Sequence, residues 1–511
     1  MLNNEVSSSE KAGAIYFNKT KSLCPECLDV IDASVYEKKG QIMIEKTCKK
    51  HGTFNDIYWS NAEQFKRFSR YIHDGNGITN PNASNGNCPH SCGLCSSHKT
   101  TTILANIDIT NRCNQNCPVC FSNASSSGYL YEPSLRQISA MMQMLRNQMP
   151  MPCPAIQFAG GEPTMRDDLI QIIEMAKGFG FKQIMIATNG VKLAGSLKFC
   201  RDLLESGLNT VYLQFDGVTE EPYRINRGYN ALKTELGAIE NCRTAGLKGV
   251  ILVPTLVKGV NDSQVGDIIN FGINNMDTVF GVNFQPVSFS GRIDMEKRIE
   301  KRITITDFME LVERQTDGAI SAEDFYPVPS IVPISHLQIA DYGFSEVEFT
   351  VHPHCGAGTY VVFEKGKMTP ITRFIDVDGL LEDVDELASK KHKWLGRYLG
   401  RIIRMSSLYS KLPKYIDNEK APESIDVKKL LSTLLLTGTG NVINGSDRNI
   451  LFIGAMHFMD LYNMDLERTK RCGVHYATPD GRIIPFCTYN TIHRAEIERK
   501  FAVPMINIKA R

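Results

Sequence analysis

Between Thr102 and Pro286, apolar segments of strand length alternate regularly with segments of helical periodicity. The predicted strands cover 103–109, 155–160, 182–188, 209–215, 248–257 and 278–284, and the predicted helices cover 134–148, 167–179, 197–206, 232–245 and 263–274. Six successive β-α units predict a parallel sheet with right-handed crossovers. An open doubly wound sheet and a six-stranded barrel both satisfy this pattern, and in both the chemistry belongs at the carboxyl ends of the strands.

A cysteine-bearing region lies on each side of this alternating core. Residues 1–98 are rich in loops, hold six cysteines and contain a Gly/Asn/Pro/Ser-rich stretch at 73–87 that predicts a linker or long loop. Residues 301–511 lose the alternation and hold three further cysteines. We therefore expect three domains: a metal-binding region at 1–98, an α/β core at 99–300, and an α+β, substrate-facing domain at 301–511.

The 15 cysteines indicate metal sites rather than disulfides, because their number is odd and most lie in tight clusters. The polar N-terminus lacks the apolar run of a signal peptide, and no stretch reaches the roughly 18 apolar residues of a membrane span. We expect a cytoplasmic protein, with peripheral attachment to the inner face of the membrane left open. The net charge of +1 gives no reason to expect a nucleic acid partner.

Three cysteines directly follow the first predicted strand. Cys113, Cys117 and Cys120 have the spacing CX3CX2C on a strand-to-helix loop. Three thiolates in this arrangement can bind three irons of a [4Fe-4S] cubane and leave the fourth iron open. A catalytic metal site needs an open coordination position, whereas a structural site is closed. These three cysteines are therefore the predicted catalytic residues.

With the aromatic Phe121 directly after the third cysteine, this loop resembles the signature of the radical S-adenosylmethionine (SAM) superfamily. The resemblance implies a partial (β/α)6 barrel in which the amino and carboxyl groups of SAM chelate the open iron. It also implies that an electron from a reductant such as ferredoxin cleaves SAM to methionine and a 5′-deoxyadenosyl radical.

Later strand ends carry further residues of the superfamily's cofactor site. Gly160, Gly161 and Glu162 begin a GGEP sequence, in which glycines allow close backbone approach and the carboxylate pairs with the cofactor's amino group. Asn189 follows the third strand and Asp216 the fourth, where the resemblance implies contacts with the ribose, the carboxylate or the substrate. A structural turn role is the alternative for Asn189 and Asp216. These five residues, with the aromatic one after the third cysteine, form the predicted cofactor site.

The N-terminal region contains a compact metal-binding pattern. Cys24, Cys27, Cys48 and His51 are spaced CXXC and CXXH on either side of a predicted hairpin. Two ligand pairs of this kind give a closed tetrahedral site, as in a zinc ribbon or a rubredoxin. The pattern predicts one bound ion, and zinc and mononuclear iron are the alternatives.

A second CX3CX2C motif, Cys88, Cys92 and Cys95, has no predicted strand before it and no GGEP after it. We predict an auxiliary [4Fe-4S] cluster here with a fourth ligand from elsewhere, and a structural zinc ion is the alternative. The C-terminal region offers further ligands, which are Cys355, Cys472 and Cys487. They either complete that cluster or hold most of another, and a turn at 479–481 is expected to return Cys487 toward Cys472.

Most of the chain is similar to one archaeal group of the superfamily, the tetraether lipid synthase-like group. That group has the same order of segments: an N-terminal CXXC/CXXH motif, a second cysteine motif, the radical SAM core and a long cysteine-bearing C-terminal region. Two activities are associated with that group. We expect the first, in which the terminal methyl carbons of isoprenoid chains of archaeal diether lipids are coupled by C–C bond formation. The alternative is methylation of a pterin precursor of methanopterin. A non-enzymatic iron–sulfur scaffold or sensor is a third possibility that the GGEP sequence disfavours.

A basic segment in the C-terminal region bears on this choice. From Lys390 to Met405, apolar side chains recur at helical spacing, and lysines and arginines occupy most of the other positions. Such a helix suits an anionic membrane surface. An ordinary packed helix with a solvated basic side is the alternative that the pattern slightly favours. The segment nevertheless fits a lipid better than a pterin. A lipid is the expected substrate, and a pterin is the alternative.

Overall fold

The computed structural model describes residues 15–81, 86–124, 127–345, 347–390, 396–437 and 449–503. The strands of this part of the chain are β1 (Ile15–Leu23), β2 (Val30–Lys38), β3 (Gln41–Cys48), β4 (Gly52–Trp59), β5 (Leu104–Thr110), β6 (Leu130–Tyr131), β7 (Ala155–Gly160), β8 (Gln183–Thr188), β9 (Thr210–Gln214), β10 (Val250–Val253), β11 (Thr255–Leu256), β12 (Val279–Pro286), β13 (Tyr326–Pro327), β14 (Gly356–Glu364), β15 (Lys367–Pro370), β16 (Ile450–Met456), β17 (Val474–Ala477), β18 (Ile483–Pro485) and β19 (Ala502–Val503). Its α-helices are Ala62–Ser69, Leu135–Arg146, Leu169–Gly178, Val191–Gly195, Leu197–Ser206, Glu221–Arg227, Leu232–Ala245, Val265–Asn274, Arg298–Lys301, Ile305–Gln315, Val332–Tyr342, Val377–Ser389, Gly396–Lys411, Val427–Thr437, Leu466–Lys470, Phe486–Thr488 and Arg494–Lys500.

The N-terminal region forms its own antiparallel sheet in the order β1-β2-β3-β4. The turn between β2 and β3 is made by Lys39 and Gly40, both with positive φ, as a tight two-residue hairpin requires. The next hairpin pairs Cys48 with Gly52, so Cys48 and His51 lie at opposite ends of one short turn. This predicted hairpin therefore brings the CXXH half of the metal-binding pattern together.

Six parallel strands, β5, β7, β8, β9, β10 and β12, form the centre of the main sheet and lie side by side in chain order. Each matches a strand expected from the alternation, and the five helices expected between them are also present. Local signals fix their ends: the helix Leu197–Ser206 begins where Ser196 accepts the Phe199 amide at 3.1 Å and ends at Gly207 with φ 109°. The α/β fold with a (β/α)6 core is confirmed.

The C-terminal region extends this sheet at both edges. Strand β16 pairs in parallel with β12, and β17 pairs in parallel with β5. Antiparallel strands continue the sheet, with β14 beyond β16 and β18 beyond β17. The expected boundary at residue 300 therefore does not separate two sheets, and the residues that follow β16 reach the same sheet edge as the central strand ends.

The basic segment forms the helix Gly396–Lys411, although residues 391–395 of the sequence pattern lie outside the described residues. A cluster of buried apolar side chains packs the neighbouring C-terminal helices together, including Leu337, Leu380, Val384 and Leu408. Within the described ranges, no helix has the length and apolar character needed to cross a membrane.

Candidate active site

A cavity of about 390 Å³ lies at the carboxyl ends of the central strands. The predicted cofactor and cluster residues that line it are Cys113, Cys117, Cys120, Phe121, Gly160, Gly161, Glu162, Asn189 and Cys487. Parallel strands bring their carboxyl ends to one edge, which is why motifs separated by many residues in sequence share this space. The inclusion of Cys487 also brings the C-terminal region into the cavity.

The three cysteines of the 113–120 loop have few polar partners of their own. The Cys113 sulfur accepts the Gln115 amide at 3.4 Å, and the Cys117 sulfur contacts the Gln115 side-chain oxygen at 3.3 Å. Burial raises the pKa of Cys113 to about 12, and burial also raises the pKa of Cys117. Thiolates here need a compensating positive charge, which iron ions supply. The donor set therefore fits a cluster.

Arg292 holds the cysteine loop in place, and the sequence patterns did not single it out. Its backbone exchanges two hydrogen bonds of 2.9 Å with Cys120, and its Nε donates to the Cys117 carbonyl at 2.7 Å. At Gly291 a Cβ would lie 2.3 Å from the Phe121 carbonyl oxygen, and φ is 70°. Only glycine suits this position, so the chain after β12 braces the loop.

The two glycines of GGEP allow a close backbone approach, but to the cysteine loop. A Cβ on Gly160 would lie 2.1 Å from the Thr110 carbonyl oxygen, and one on Gly161 would lie 2.2 Å from the Arg112 carbonyl oxygen. The following residue, Glu162, donates its amide to that same Arg112 oxygen at 2.7 Å. These glycines therefore set the distance between the cysteine loop and the Glu162 carboxylate.

The Glu162 side chain is buried at the cavity wall and held from three sides. It accepts hydrogen bonds from the hydroxyls of Thr164 (2.6 Å) and Thr188 (2.7 Å) and from the Asn189 amide (2.8 Å). Burial raises the pKa of Glu162. A cation such as an amino group would offset that cost, because an opposite charge favours the ionised carboxylate.

Asn189 and Asp216 differ in their relation to the cavity. Asn189 lines it, donates to the Asn114 side chain at 2.7 Å and accepts the Val191 amide at 3.1 Å. Asp216 is fully buried and is not among the lining residues, because both its oxygens bind Arg227, at 2.5 and 2.9 Å. Asp216 therefore orients Arg227, which does line the cavity, and its direct contact with cofactor or substrate stays a prediction.

Polar amide side chains line the cavity on the strands themselves. They are Asn106, Gln157, Gln214, Asn283 and Gln285, and Tyr212 lies among them. Gln157 donates to Asn106 at 3.0 Å, and the Nδ2 of Asn106 is buried without a hydrogen-bond partner among the described residues. An amide offers both a donor and an acceptor, so this polar floor can bind a molecule with alternating donors and acceptors.

The auxiliary cysteines, distant in sequence, lie close together in space. Cys92 is buried in a cluster with Tyr476 and Phe486, against which Cys472 and Cys487 pack. The expected hairpin is confirmed: β17 and β18 pair antiparallel through a turn in which Gly481 has φ 87°. Burial, with a smaller effect of the nearby Cys355 and Cys92, raises the pKa of Cys472 to about 12. This grouping brings Cys472 and Cys487 beside Cys92, and it leaves both expected arrangements of the C-terminal cysteines open.

The surroundings of Arg468 show whether a negatively charged cluster fits beside those cysteines. Its side chain is only 2% exposed, and its Nη2 donates to the Cys355 sulfur at 3.5 Å and to the His457 carbonyl at 3.3 Å. Within the described residues no carboxylate pairs with it, and its Nε has no hydrogen-bond partner. Burial lowers the pKa of Arg468, and Cys355, Tyr58 and Cys487, when they are ionised, raise it above its usual value. A buried cation needs a negative neighbour, and a thiolate-ligated cluster would provide one.

The N-terminal ligands converge on a single point. The donor atoms of Cys24, Cys27, Cys48 and His51 all lie within 4.8 Å of one another, and His51 Nδ1 is 3.5 Å from the sulfurs of Cys24 and Cys48. The pKa of Cys48 is lowered to about 6, chiefly by backbone amides. Elsewhere in the described part of the chain no three such donors lie this close to one another.

A buried ion network connects this N-terminal sheet to the cavity. Arg302 binds Asp56 of β4 at 3.0 Å and Asp460 at 2.8 Å, and Asp460 in turn accepts the Phe289 amide at 3.0 Å. Neighbours of Asp460 and Phe289, such as Met459 and Ser290, line the cavity. The metal-bearing sheet thus supports two loops of the cavity wall without reaching the cavity.

Comparison with known proteins agrees with this geometry. A family model described as the radical SAM superfamily matches residues 107–272, and one described as the HMPTM N-terminal zinc ribbon domain matches residues 16–60. The chain is similar to 7,8-dihydro-6-hydroxymethylpterin dimethyltransferase of Methanocaldococcus jannaschii, with 51% identity over 492 residues, or 95% of this chain and 96% of that protein.

More distant similarities cover part of the chain. The probable GTP 3′,8-cyclase of Methanothermobacter thermautotrophicus is 31% identical over 176 residues, which are 34% of this chain and 55% of that protein. Among solved structures, Streptococcus suis SuiB bound to S-adenosylmethionine covers 43% of this chain and 44% of its own, with 16% identity and a TM-score of 0.33.

Proposed function

The chain belongs to the radical SAM superfamily, and we propose that it methylates a 7,8-dihydropterin, as its pterin dimethyltransferase relative does. The observation that carries this proposal is 51% identity across nearly the whole of both chains. That relative favours the pterin reading over the coupling of lipid chains, which was the main expectation from the sequence. The chain is an enzyme, and not the iron–sulfur scaffold or sensor that the cysteines alone allowed.

The chemistry of the cavity supports a flat, polar substrate. A pterin carries donors and acceptors along its ring edges, which the amides of Asn106, Gln157 and Gln214 can match. Beside them, the rings of Phe458 and Phe486 stack with centroids 3.9 Å apart, and both rings line the cavity. Aromatic walls of this kind suit a planar heterocycle.

We propose that the thiolates of Cys113, Cys117 and Cys120 hold the [4Fe-4S] cluster. When bound, this cluster and SAM supply a 5′-deoxyadenosyl radical that can activate a C–H bond. Glu162 would accept a hydrogen bond from the amino group of SAM, and its hydrogen bonds with the Thr188 hydroxyl and the Asn189 backbone amide hold the carboxylate in place. The Asn189 side chain donates a hydrogen bond to Asn114 of the cysteine loop, and Phe121 forms part of the cavity wall.

Two further cysteine groups are proposed to hold auxiliary [4Fe-4S] clusters. One consists of Cys88, Cys92 and Cys95, and the other of Cys355, Cys472 and Cys487. Because Cys487 lines the same cavity as Cys113, the second of these clusters would lie beside the substrate. For the N-terminal site, the match to a zinc ribbon domain favours zinc over iron.

Coupling of lipid chains is the second candidate, and one observation favours it. The cavity is also lined by apolar side chains, which include Val119, Val287, Met456 and Met459. An alkyl chain can lie against such a wall. Both candidates require a new C–C bond at a carbon activated by a radical, so they share the cofactor site and differ in the substrate.

One experiment separates the two candidates. The chain is expressed anaerobically in a diether-lipid-producing archaeon that lacks it, and pterins and lipids of the same cells are analysed by mass spectrometry. We expect pterin carrying added methyl groups and unchanged lipids. A variant with alanine at Cys113, Cys117 and Cys120 is the matched control and should give neither product. Coupled C40 chains with unmethylated pterin would overturn the proposal in favour of the second candidate.

A further inference from the structure

The helix Gly396–Lys411 turns an apolar face toward solvent. The exposed fractions are 74% for Tyr398, 48% for Leu399, 49% for Ile402, 43% for Ile403 and 46% for Tyr409. The opposite side packs inward through Gly400, Arg404 and Leu408. An ordinary surface helix buries its large apolar side chains, so the exposure of five of them on this helix departs from that pattern.

The exposed face continues across to the neighbouring helix Val332–Tyr342. Tyr342 is 37% exposed and Phe344 is 64% exposed. Arg397 donates to the Tyr342 carbonyl at 3.2 Å, and the Arg401 guanidinium lies 4.4 Å from the centre of the Tyr342 ring. We name these exposed side chains, Tyr342, Phe344, Tyr398, Leu399, Ile402 and Ile403, the apolar patch. A contiguous exposed patch of this kind usually marks an interaction site.

The charged side chains of the helix Gly396–Lys411 are all positive. The sequence from Lys390 to Tyr415 contains no aspartate or glutamate, although the whole chain carries a net charge of only +1. The carboxylate beneath the helix, Asp341, is neutralised by Arg404 at 2.7 Å. On the adjoining helix Asp383 pairs with Lys411 at 3.3 Å. Arg397 and Arg401 are therefore left as the charges at the edge of the patch.

We propose that the apolar patch docks on an anionic lipid surface. The apolar side chains enter the boundary between headgroups and acyl chains, and Arg397 and Arg401 bind the lipid phosphates. The combination favours lipid over a protein partner, because it joins large exposed apolar side chains to a basic edge without acidic residues in the same segment. This inference does not depend on which substrate the cavity binds.

Sedimentation of the full-length, metal-loaded protein with vesicles tests the proposal. We expect binding to phosphatidylglycerol vesicles that weakens as salt is added, and much weaker binding to phosphatidylcholine vesicles. Replacing Leu399, Ile402 and Ile403 together by serine should lower the partition coefficient by about tenfold or more. The control Ile299→Ser removes a 69% exposed apolar side chain elsewhere and should bind like the wild type.

Two results would overturn the proposal. One is binding of the triple serine variant to anionic vesicles as tightly as the wild type binds. The other is a wild type that ignores vesicles but forms a dimer that the triple variant loses in light scattering, since the face would then be a protein interface. Arg397→Gln with Arg401→Gln provides a variant that keeps the apolar side chains, and it should lose the salt-dependent part of the binding only.

Discussion

Replacing Arg468 by methionine should have opposite effects on the metal-free and the metal-loaded protein. In the metal-free chain, burial raises the pKa of Cys472 to about 12, so the sulfur stays protonated at neutral pH. Burial likewise raises the pKa of Cys487 well above its usual range. The guanidinium of Arg468, 2% exposed and without a carboxylate partner among the described residues, is then an uncompensated buried cation.

The magnitudes follow from the two environments. An uncompensated buried ion costs several kcal/mol, so Arg468→Met should stabilise the metal-free chain. With a thiolate-ligated cluster present, the cation has its counter-charge, and removing one partner of a buried pair costs about 3–5 kcal/mol. For a cooperative unit of 150–250 residues this corresponds to a fall in Tm of about 6 °C or more. Methionine is apolar and adaptable in shape, which keeps packing losses small.

Thermal unfolding, followed by circular dichroism on chelator-stripped and on anaerobically reconstituted protein, measures both effects. We expect the methionine variant to melt higher than the wild type when stripped and lower when loaded. Arg468→Lys keeps the charge and should follow the wild type in the stripped state. A methionine variant that melts lower by the same amount in both states would show that Arg468 acts through packing alone and would refute this reasoning.

Three other substitutions test separate parts of the site. Gly160→Ala places a Cβ 2.1 Å from a backbone oxygen of the cysteine loop and should reduce cluster content and SAM cleavage, whereas Gly178→Ala, with nothing within 4 Å, should change neither. Arg227→Met leaves Asp216 buried without its partner and should cost about 3–5 kcal/mol in denaturant unfolding, which Asp216→Asn in the same chain should largely restore. Cys48→Ser should remove one zinc per chain, by elemental analysis, without removing iron.

Each of these has an outcome that contradicts it. Wild-type iron content and SAM cleavage in Gly160→Ala would mean that the strand end does not set the position of the cysteine loop. Equal stability of Arg227→Met and its double variant would mean that Asp216 is not the group left unpaired. Loss of iron, and not zinc, from Cys48→Ser would assign mononuclear iron to the N-terminal site.

Much of the core could be predicted because its signals are local. Each β-α unit carries its own apolar run and helix ends, so the six central strands were found where the alternation places them. The motif residues follow the same logic, since they occupy the ends of those strands. The hairpin that returns Cys487 toward Cys472 was also local, because a Pro-Asp-Gly turn marks it.

What could not be predicted depends on contacts between distant segments. Nothing in the apolar run of β16 indicates that it pairs with β12, about 170 residues earlier, so the widening of the sheet was missed. Arg292 and Arg468 resemble any surface arginine in the sequence, and only their hydrogen bonds to cysteine-bearing segments give them a role. Asp216 looked like a ligand because it ends a strand, but its Arg227 partner lies in the following helix.

The yield of 5′-deoxyadenosine from SAM, measured in reduced, anaerobically reconstituted protein, decides most directly which cysteine motif generates the radical. The wild type and a variant with alanine at the three cysteines of the 88–95 motif should both form it. A variant with alanine at Cys113, Cys117 and Cys120 should form none. If that variant still cleaves SAM and the 88–95 variant does not, the radical-generating site has been placed on the wrong loop.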